Sequence, residues 1–400
     1  MGSQRVLFVH ERPGDLGGSQ TSMLAEAAAL RDRGWEAVLL HGEEGVTDAV
    51  TGRFDDSRFA AEIFAPHPRP SARRALRGHV DETAAGVVHV HLGLHASLVS
   101  DVARRHPTVV TTHLPVCPNG ARFRYAQERA CERRIGARCF TQGYRSEGCA
   151  TRSDDVEYDL ARFALGAGYA KWMLRALRRC SAVIAPSEWQ RRMLVADGLL
   201  EDRVVVLAPP IARPSAGPVP PPTDAPVVLT AGRLTTLKGA HHLLRASATI
   251  TAPHVLHIAG EGPQRAHLEQ LASALEISSR VRFLGALPAH ALHAEMGRAA
   301  VVVVPSLWPE TFGMVGPEAV LSGTPVVAYD SGGAADWARP EHGVTSVADG
   351  DIAGLGRAIE SSLRLRARVP REQQARVEEW LAPPAHAEAL TALYRRLSAG

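Results

Sequence analysis

The chain has 400 residues, 45% hydrophobic and 22% charged, which excludes a disordered or fibrous polymer and is too long for one ordinary core. A formal charge of +3 makes no electrostatic case for nucleic acid. No run of about 18 apolar residues is present, so no stretch of the sequence is suited to cross a bilayer as a helix. Lys171 and Lys238 are the only lysines among 45 basic residues, which makes the place of each informative. The opening MGSQRVLFVHERPG lacks the long apolar stretch of a signal peptide, and Val6 spoils a myristoylation match. It reads as a strand, and the expected location is cytoplasmic.

In chain order, residues 6–10 predict a strand, 19–33 a helix and 36–41 a second strand. Buried strands follow at 87–91, 109–113, 182–186 and 204–207. Proline is so dense over 209–226 that this segment reads as a stiff extended linker. The alternation then restarts, with strands at 227–231, 255–259, 281–284, 300–305 and 325–328. Helices are expected between them at 240–250, 264–275, 289–297 and 317–322, then at 352–365 and 385–397. Strands alternating with helices imply parallel sheets. The expected α/β architecture is therefore two Rossmann-like, doubly wound domains, 1–208 and 227–380, facing across a cleft. The terminal stretch 381–400 is expected to pack back on the first. Ligands in such sheets bind at the carboxyl ends of the strands.

Several strand-to-helix loops carry chemistry. In PGDLGGS, Gly17 and Gly18 allow close backbone approach to an anion at the start of a helix, although the spacing is not that of a dinucleotide fingerprint. In AGRLTTLKG, Gly232, Arg233 and Lys238 place two cations at a strand end, an arrangement suited to a diphosphate whose charge grows as its bond to carbon breaks. In AGEGP, Gly262 makes a tight turn that serves packing or a ligand equally well. In VPSLWPETFGMVGPEAVLSGTPVV, Glu310 and Glu318 flank Phe312, Gly313, Met314 and Val315. Glu310 belongs to a loop facing the ligand. Glu318, in the first helical turn, is placed to accept ribose hydroxyls.

GRLTTLKG, AGEGP and PETFGMVGPEAVLSGTPVV, in this order, resemble the donor-binding domain of glycosyltransferase family 4, a group of retaining, sugar-nucleotide-dependent enzymes with the GT-B fold. Gly17–Gly18, TTHLP and IAPSEWQRRM extend the resemblance over most of the chain. The resemblance implies that Arg233 and Lys238 bind the donor diphosphate and that Glu318 holds the ribose. It implies that Glu310 and the amides of Phe312–Val315 contact the transferred sugar. Gly18 is expected to bring an amide to the phosphate, and His113 to reach the sugar from the acceptor side; a satisfied core histidine is the alternative for His113. No cofactor is required, and the two cations take the place of a metal. The donor is a nucleoside-diphosphate sugar. The acceptor is a small molecule such as a cyclitol or aminocyclitol, a thiol, a lipid-linked sugar or a glycan. A sugar-nucleotide epimerase or hydrolase on the same fold, or a non-catalytic sugar-nucleotide-binding protein, are the competing readings.

One stretch is not absorbed by this account. Cys117, Cys131, Cys139 and Cys149 punctuate an insertion at about 115–152, assigned here to the first domain. Residues 104–152 carry ten arginines against Glu128, Glu132 and Glu147, a balance of +7. Structural zinc, disulfides and unpaired thiols are three readings of the cysteines. The arginines suit an anionic acceptor or a peripheral membrane contact, or else belong to an exposed helix at 123–134.

Overall fold

Runs such as VVVV at Val301–Val304, buried at all four positions, suit parallel strands covered on both faces. The computed structural model of the chain builds two all-parallel sheets from them. It describes residues 4–11, 18–42, 57–59, 68–144, 146–149, 160–214 and 225–398. Gly17 and most of the proline-rich segment lie outside the described residues.

The first elements are β1 (Arg5–His10), α1 (Gly18–Arg31), β2 (Glu36–His41), β3 (Ser57–Phe59), α2 (Pro70–Thr83) and β4 (Val87–Leu92). Next come α3 (Ala96–Val102), β5 (Thr108–Thr111), β6 (Phe123–Arg124), β7 (Arg129–Ala130), α4 (Leu160–Leu177), β8 (Ala182–Ala185), α5 (Glu188–Ala196) and β9 (Val204–Val206). The later part begins with β10 (Val227–Ala231), α6 (Ala240–Thr249), β11 (Val255–Ala259), α7 (Arg265–Ala274), β12 (Val281–Gly285) and α8 (Ala289–Arg298). It continues through β13 (Val301–Val304), α9 (Val315–Leu321), β14 (Val326–Tyr329), β15 (Val344–Val347), α10 (Ile352–Leu365), α11 (Arg371–Leu381) and α12 (Pro383–Ser398). Among the described residues one sheet has the order β3-β2-β1-β4-β5-β8-β9 and the other β12-β11-β10-β13-β14-β15. Both are doubly wound.

Two compact units result. The first comprises Met1–Gly120, Ala164–Ile211 and Leu381–Gly400; the second comprises Ala121–Phe163 and Ala212–Trp380. In the first unit, α12 lies on α1. Leu390 and Tyr394 are fully buried in the cluster that holds Val6, Phe8 and Leu24. Arg33 ties the start of α12 by donating to the Pro384 carbonyl at 3.0 Å and to Glu388 at 3.2 Å.

The insertion departs from its sequence reading in two ways. Residues from Ala121 onward belong to the second unit, not the first. The reason is Phe123, fully buried in the second unit's core with Leu243 and Leu307, while Trp308 Nε1 donates to the Ala121 carbonyl at 2.8 Å. The alternative of an exposed helix over 123–134 also fails, since the only helical piece there is the short 3₁₀ turn Tyr125–Gln127. Phe123 pairs with Ala130 and Arg124 with Arg129 in an antiparallel hairpin, β6–β7. Smaller differences concern ends: β5 stops at Thr111, which leaves His113 on the following loop, and α9 begins at Val315. No helix among the described residues is long and apolar enough to cross a membrane.

Leu390 tests the docking of α12. Leu390→Ala is expected to cost ~2–5 kcal/mol in urea unfolding followed by far-ultraviolet circular dichroism. A midpoint indistinguishable from the parent contradicts the packing described.

Candidate active site

The second unit concentrates charged side chains at the carboxyl ends of β10 and β13. After β10 the chain turns through Gly232 and the exposed Arg233 into a short 3₁₀ segment, Thr236–Lys238. Gly239 ends that segment at φ 68°, and a Cβ there would lie 1.8 Å from the Pro305 carbonyl oxygen. Only glycine lets the two loops close this far. The Leu237 carbonyl then accepts from both Leu307 N and Trp308 N at 3.0 Å, fixing the loop after β13 beside Lys238.

The result is an ion pair. Lys238 Nζ lies 2.9 Å from Glu310 Oε1, with the lysine side chain 29% and the glutamate 14% exposed. The ammonium also stands 5.6 Å from the centre of the Trp308 ring. Glu310 is held by its backbone, whose carbonyl accepts from Gly333 N at 2.7 Å. Trp337 braces the same loop by donating from Nε1 to the Phe312 carbonyl at 2.6 Å. Gly232, Arg233, Lys238, Glu310, Gly313 and Val315 line one pocket, together with Thr230 and Ser306. An anion entering it meets an ammonium and a guanidinium, and a polyol meets the Glu310 carboxylate.

Of the other predicted donor residues that the structure describes, Gly18, Gly262, Phe312, Met314 and Glu318 are not among the lining of this pocket. Phe312 is buried. Gly262 has a packing reason for being glycine, since a Cβ there would lie 2.4 Å from the Leu234 carbonyl oxygen. Met314 precedes α9, and Glu318 sits in its first turn. Burial pushes the Glu318 carboxyl up to about 7 from its ordinary 4.5. Thr230, Ser306 and the Trp308 ring were missed in the sequence. Of these only the tryptophan, within LWPE, gave a signal. Asp349–Gly350–Asp351 forms a turn at the start of α10, where Asp351 Oδ1 accepts from Gly354 N at 2.8 Å.

In the first unit, Gly18 is the exposed first residue of α1. His113 follows β5, with Nε2 3.0 Å from His91 Nδ1. Burial, reinforced by His91, lowers its pKa to about 3, so the imidazole is neutral at ordinary pH.

The insertion is built from internal pairs. Arg133 makes a two-pronged contact with Glu147, at 2.8 and 3.1 Å, and Arg124 lies 3.6 Å from the same carboxylate. Glu128 reaches His241 at 3.4 Å and His242 at 3.2 Å, while the Tyr329 hydroxyl lies 3.1 Å from His242 Nδ1. With the tyrosine donating to Nδ1 and Nε2–H donating to Glu128, His242 is satisfied at both nitrogens. The four cysteines of the insertion are not gathered. Among the described residues, the sets of three or more metal-capable side chains are Glu26 with His89 and His91, and Glu128 with His241 and His242. None of the cysteines is joined in a disulfide.

Residues 216–379, which fall in the second unit, match the family Glycosyl transferases group 1. Among curated relatives, the 2-deoxystreptamine glucosyltransferase of Streptomyces kanamyceticus is 30% identical over 223 residues, 52% of this chain and 57% of the relative. The 2-deoxystreptamine N-acetyl-D-glucosaminyltransferase of Streptomyces fradiae is 28% identical over 358 residues, 86% of this chain and 82% of the relative. The chain spans about half the length of the first curated relatives it matches. Among solved structures, Anabaena Alr3699/HepE in complex with UDP and glucose superposes with TM-score 0.72 at 18% identity, covering 98% of this chain and 99% of that one. The fold is GT-B.

Glu318 gives a prediction with a definite sign. Its raised pKa means that between about 4.5 and about 7 the folded state holds a proton the unfolded state has lost. Stability therefore falls as pH rises through that window. Glu318→Gln is expected to flatten this fall and to be more stable than the parent above pH 7, by up to about 3 kcal/mol in chemical denaturation. Parallel stability–pH curves for the two proteins contradict the assignment.

Proposed function

We propose that this chain is a retaining glycosyltransferase of family 4. It moves a hexose-like sugar from a nucleoside diphosphate to a hydroxyl of a small acceptor, without a metal. The observation that carries the reading is the convergence of Arg233, Lys238 and Glu310 on one pocket of the matched domain, with Lys238 and Glu310 2.9 Å apart.

In the proposed reaction Arg233 and Lys238 neutralise the diphosphate as the bond between it and the anomeric carbon breaks. The acceptor oxygen forms its bond to that carbon on the face the diphosphate leaves. The acceptor proton passes to a departing phosphate oxygen, so no separate carboxylate base is needed. Glu310 reads hydroxyls of the transferred sugar, Glu318 the ribose, and Gly18 supplies an amide to the phosphate. His113, neutral by virtue of its burial, serves as a hydrogen-bonding group toward the sugar on the acceptor side. The names of the two Streptomyces relatives support an aminocyclitol acceptor, and the UDP and glucose of the Anabaena structure support a uridine donor. We place the enzyme in the cytoplasm.

The direct test incubates the protein with labelled UDP-glucose or UDP-N-acetylglucosamine, with and without 2-deoxystreptamine. Transfer to the aminocyclitol is expected, undiminished by EDTA. Isomerised or merely hydrolysed donor contradicts the reading. So does activity that vanishes with EDTA and returns with magnesium. Lys238→Ala is expected to lower turnover by roughly 10²–10³, the scale for losing one transition-state charge contact. Near-normal turnover removes Lys238 from the mechanism.

A further inference from the structure

The hairpin of the insertion meets α6 at a group of metal-ligating side chains that the transfer reaction does not use. The turn joining β6 to β7 carries Glu128, whose side chain is 44% exposed. It faces His241 and His242, the second and third residues of α6, whose side chains are only 9% and 6% exposed. Glu128 Oε1 lies 3.4 Å from His241 Nε2, and Oε2 lies 3.2 Å from His242 Nε2. One ligand atom from each residue lies within 4.8 Å of the other two. None of the three residues lines the pocket of Lys238 and Glu310.

Hydrogen bonding alone leaves this group incomplete. His241 Nε2 is buried and, for all its closeness to Glu128, makes no hydrogen bond. A buried polar atom left in that state costs free energy unless an ion or water meets it. The spacing is also that of a coordination shell. Bonds of about 2.0–2.1 Å at tetrahedral angles set neighbouring zinc ligands roughly 3.3 Å apart. The two nitrogen–oxygen separations here are 3.4 and 3.2 Å.

The surroundings suit a cation. The Tyr329 hydroxyl stands 3.1 Å from His242 Nδ1. A hydroxyl can donate or accept, so it can take a hydrogen from Nδ1 when Nε2 gives its lone pair to a metal. Burial above all lowers the pKa of both imidazoles, which favours the neutral form that a metal needs. Besides burial, the carboxylates of Asp349, Asp351 and Glu128 raise the Tyr329 pKa, while Arg245 is an opposing cation near the histidines.

We propose that Glu128, His241 and His242 form a zinc site that pins the insertion to α6, with water as the fourth ligand on the exposed side. Two imidazole nitrogens and a carboxylate oxygen suit zinc, whereas calcium and magnesium take oxygen ligands. The zinc holds the segment in place and has no part in transfer. It also differs from the zinc expected at the four cysteines, since both histidines lie outside the insertion.

Titration calorimetry of zinc chloride into the full chain, stripped with EDTA and dialysed, tests the site in the parent, Glu128→Gln and His241→Gln. One strong equivalent is expected in the parent. Losing a ligand costs more than losing a group that merely orients one, so His241→Gln is expected to bind at least about 100-fold more weakly and Glu128→Gln at least about tenfold. Because Glu128 is exposed, its variant keeps the test decisive if His241→Gln fails to fold. Zinc is expected to raise the thermal midpoint of the parent and to leave that of the variants nearly unchanged. Cobalt in place of zinc is expected to show d–d bands without thiolate charge transfer. No stoichiometric zinc in the parent, equal affinity in Glu128→Gln, or a thiolate charge-transfer band overturns the proposal. None of these readouts uses transfer, so the outcome is separate from that of the transferase reading.

Discussion

The ion pair between Lys238 and Glu310 is the interaction on which the candidate site depends. It joins two loops that follow different strands of one sheet. The pair exists because Gly239 lets the first loop close on the Pro305 carbonyl, and because the Leu237 carbonyl accepts from two amides of the second. Without that closure the lysine and the glutamate would be ordinary solvated charges. With it, a partly exposed ammonium is held by a carboxylate at the mouth of a pocket that also presents Arg233. A partly exposed pair of this kind contributes little to stability and is readily exchanged for a stronger anion. A diphosphate can take over the ammonium, leaving the carboxylate for hydroxyl groups.

Much of this was legible in the sequence, for physical reasons. Parallel strands buried on both faces read as unbroken apolar runs, so VVLTA, VLHIA and VVVV announce themselves, and glycines at strand ends mark where the chain must turn. The rarity of lysine made Lys238 conspicuous. What sequence could not show was partnership. Two loops about 70 residues apart supplied Lys238 and Glu310, and nothing local says that they pair rather than face separate parts of a ligand. Gly262 is the opposite case. Its glycine looked equally suited to a ligand and to packing, and the Leu234 carbonyl supplies a packing reason for it.

The insertion misled for a related reason. Its arginine content suited an anionic acceptor or a membrane contact on the first domain, with an exposed helix as the alternative, but its apolar residues, Phe123 above all, assign the segment to the core of the second unit. Arg124 and Arg133 converge on Glu147, and Glu128 engages two histidines of α6. Part of the positive charge counted along the sequence is therefore spent inside the segment. The first unit shows the same limit. Glu26 reads as one more polar residue of an alanine-rich helix until the fold brings His91 and His386 each to 3.3 Å from its carboxylate.

The central claim is that the Lys238 ammonium passes from Glu310 to a diphosphate. Titration calorimetry of UDP against the parent, Lys238→Met and Glu310→Gln tests it most directly. The account predicts at least tenfold weaker binding to Lys238→Met, and binding to Glu310→Gln at least as tight as to the parent, because the ammonium no longer has to leave a carboxylate. Unchanged affinity in Lys238→Met, or a loss of affinity in Glu310→Gln as large as that expected for the lysine variant, contradicts it.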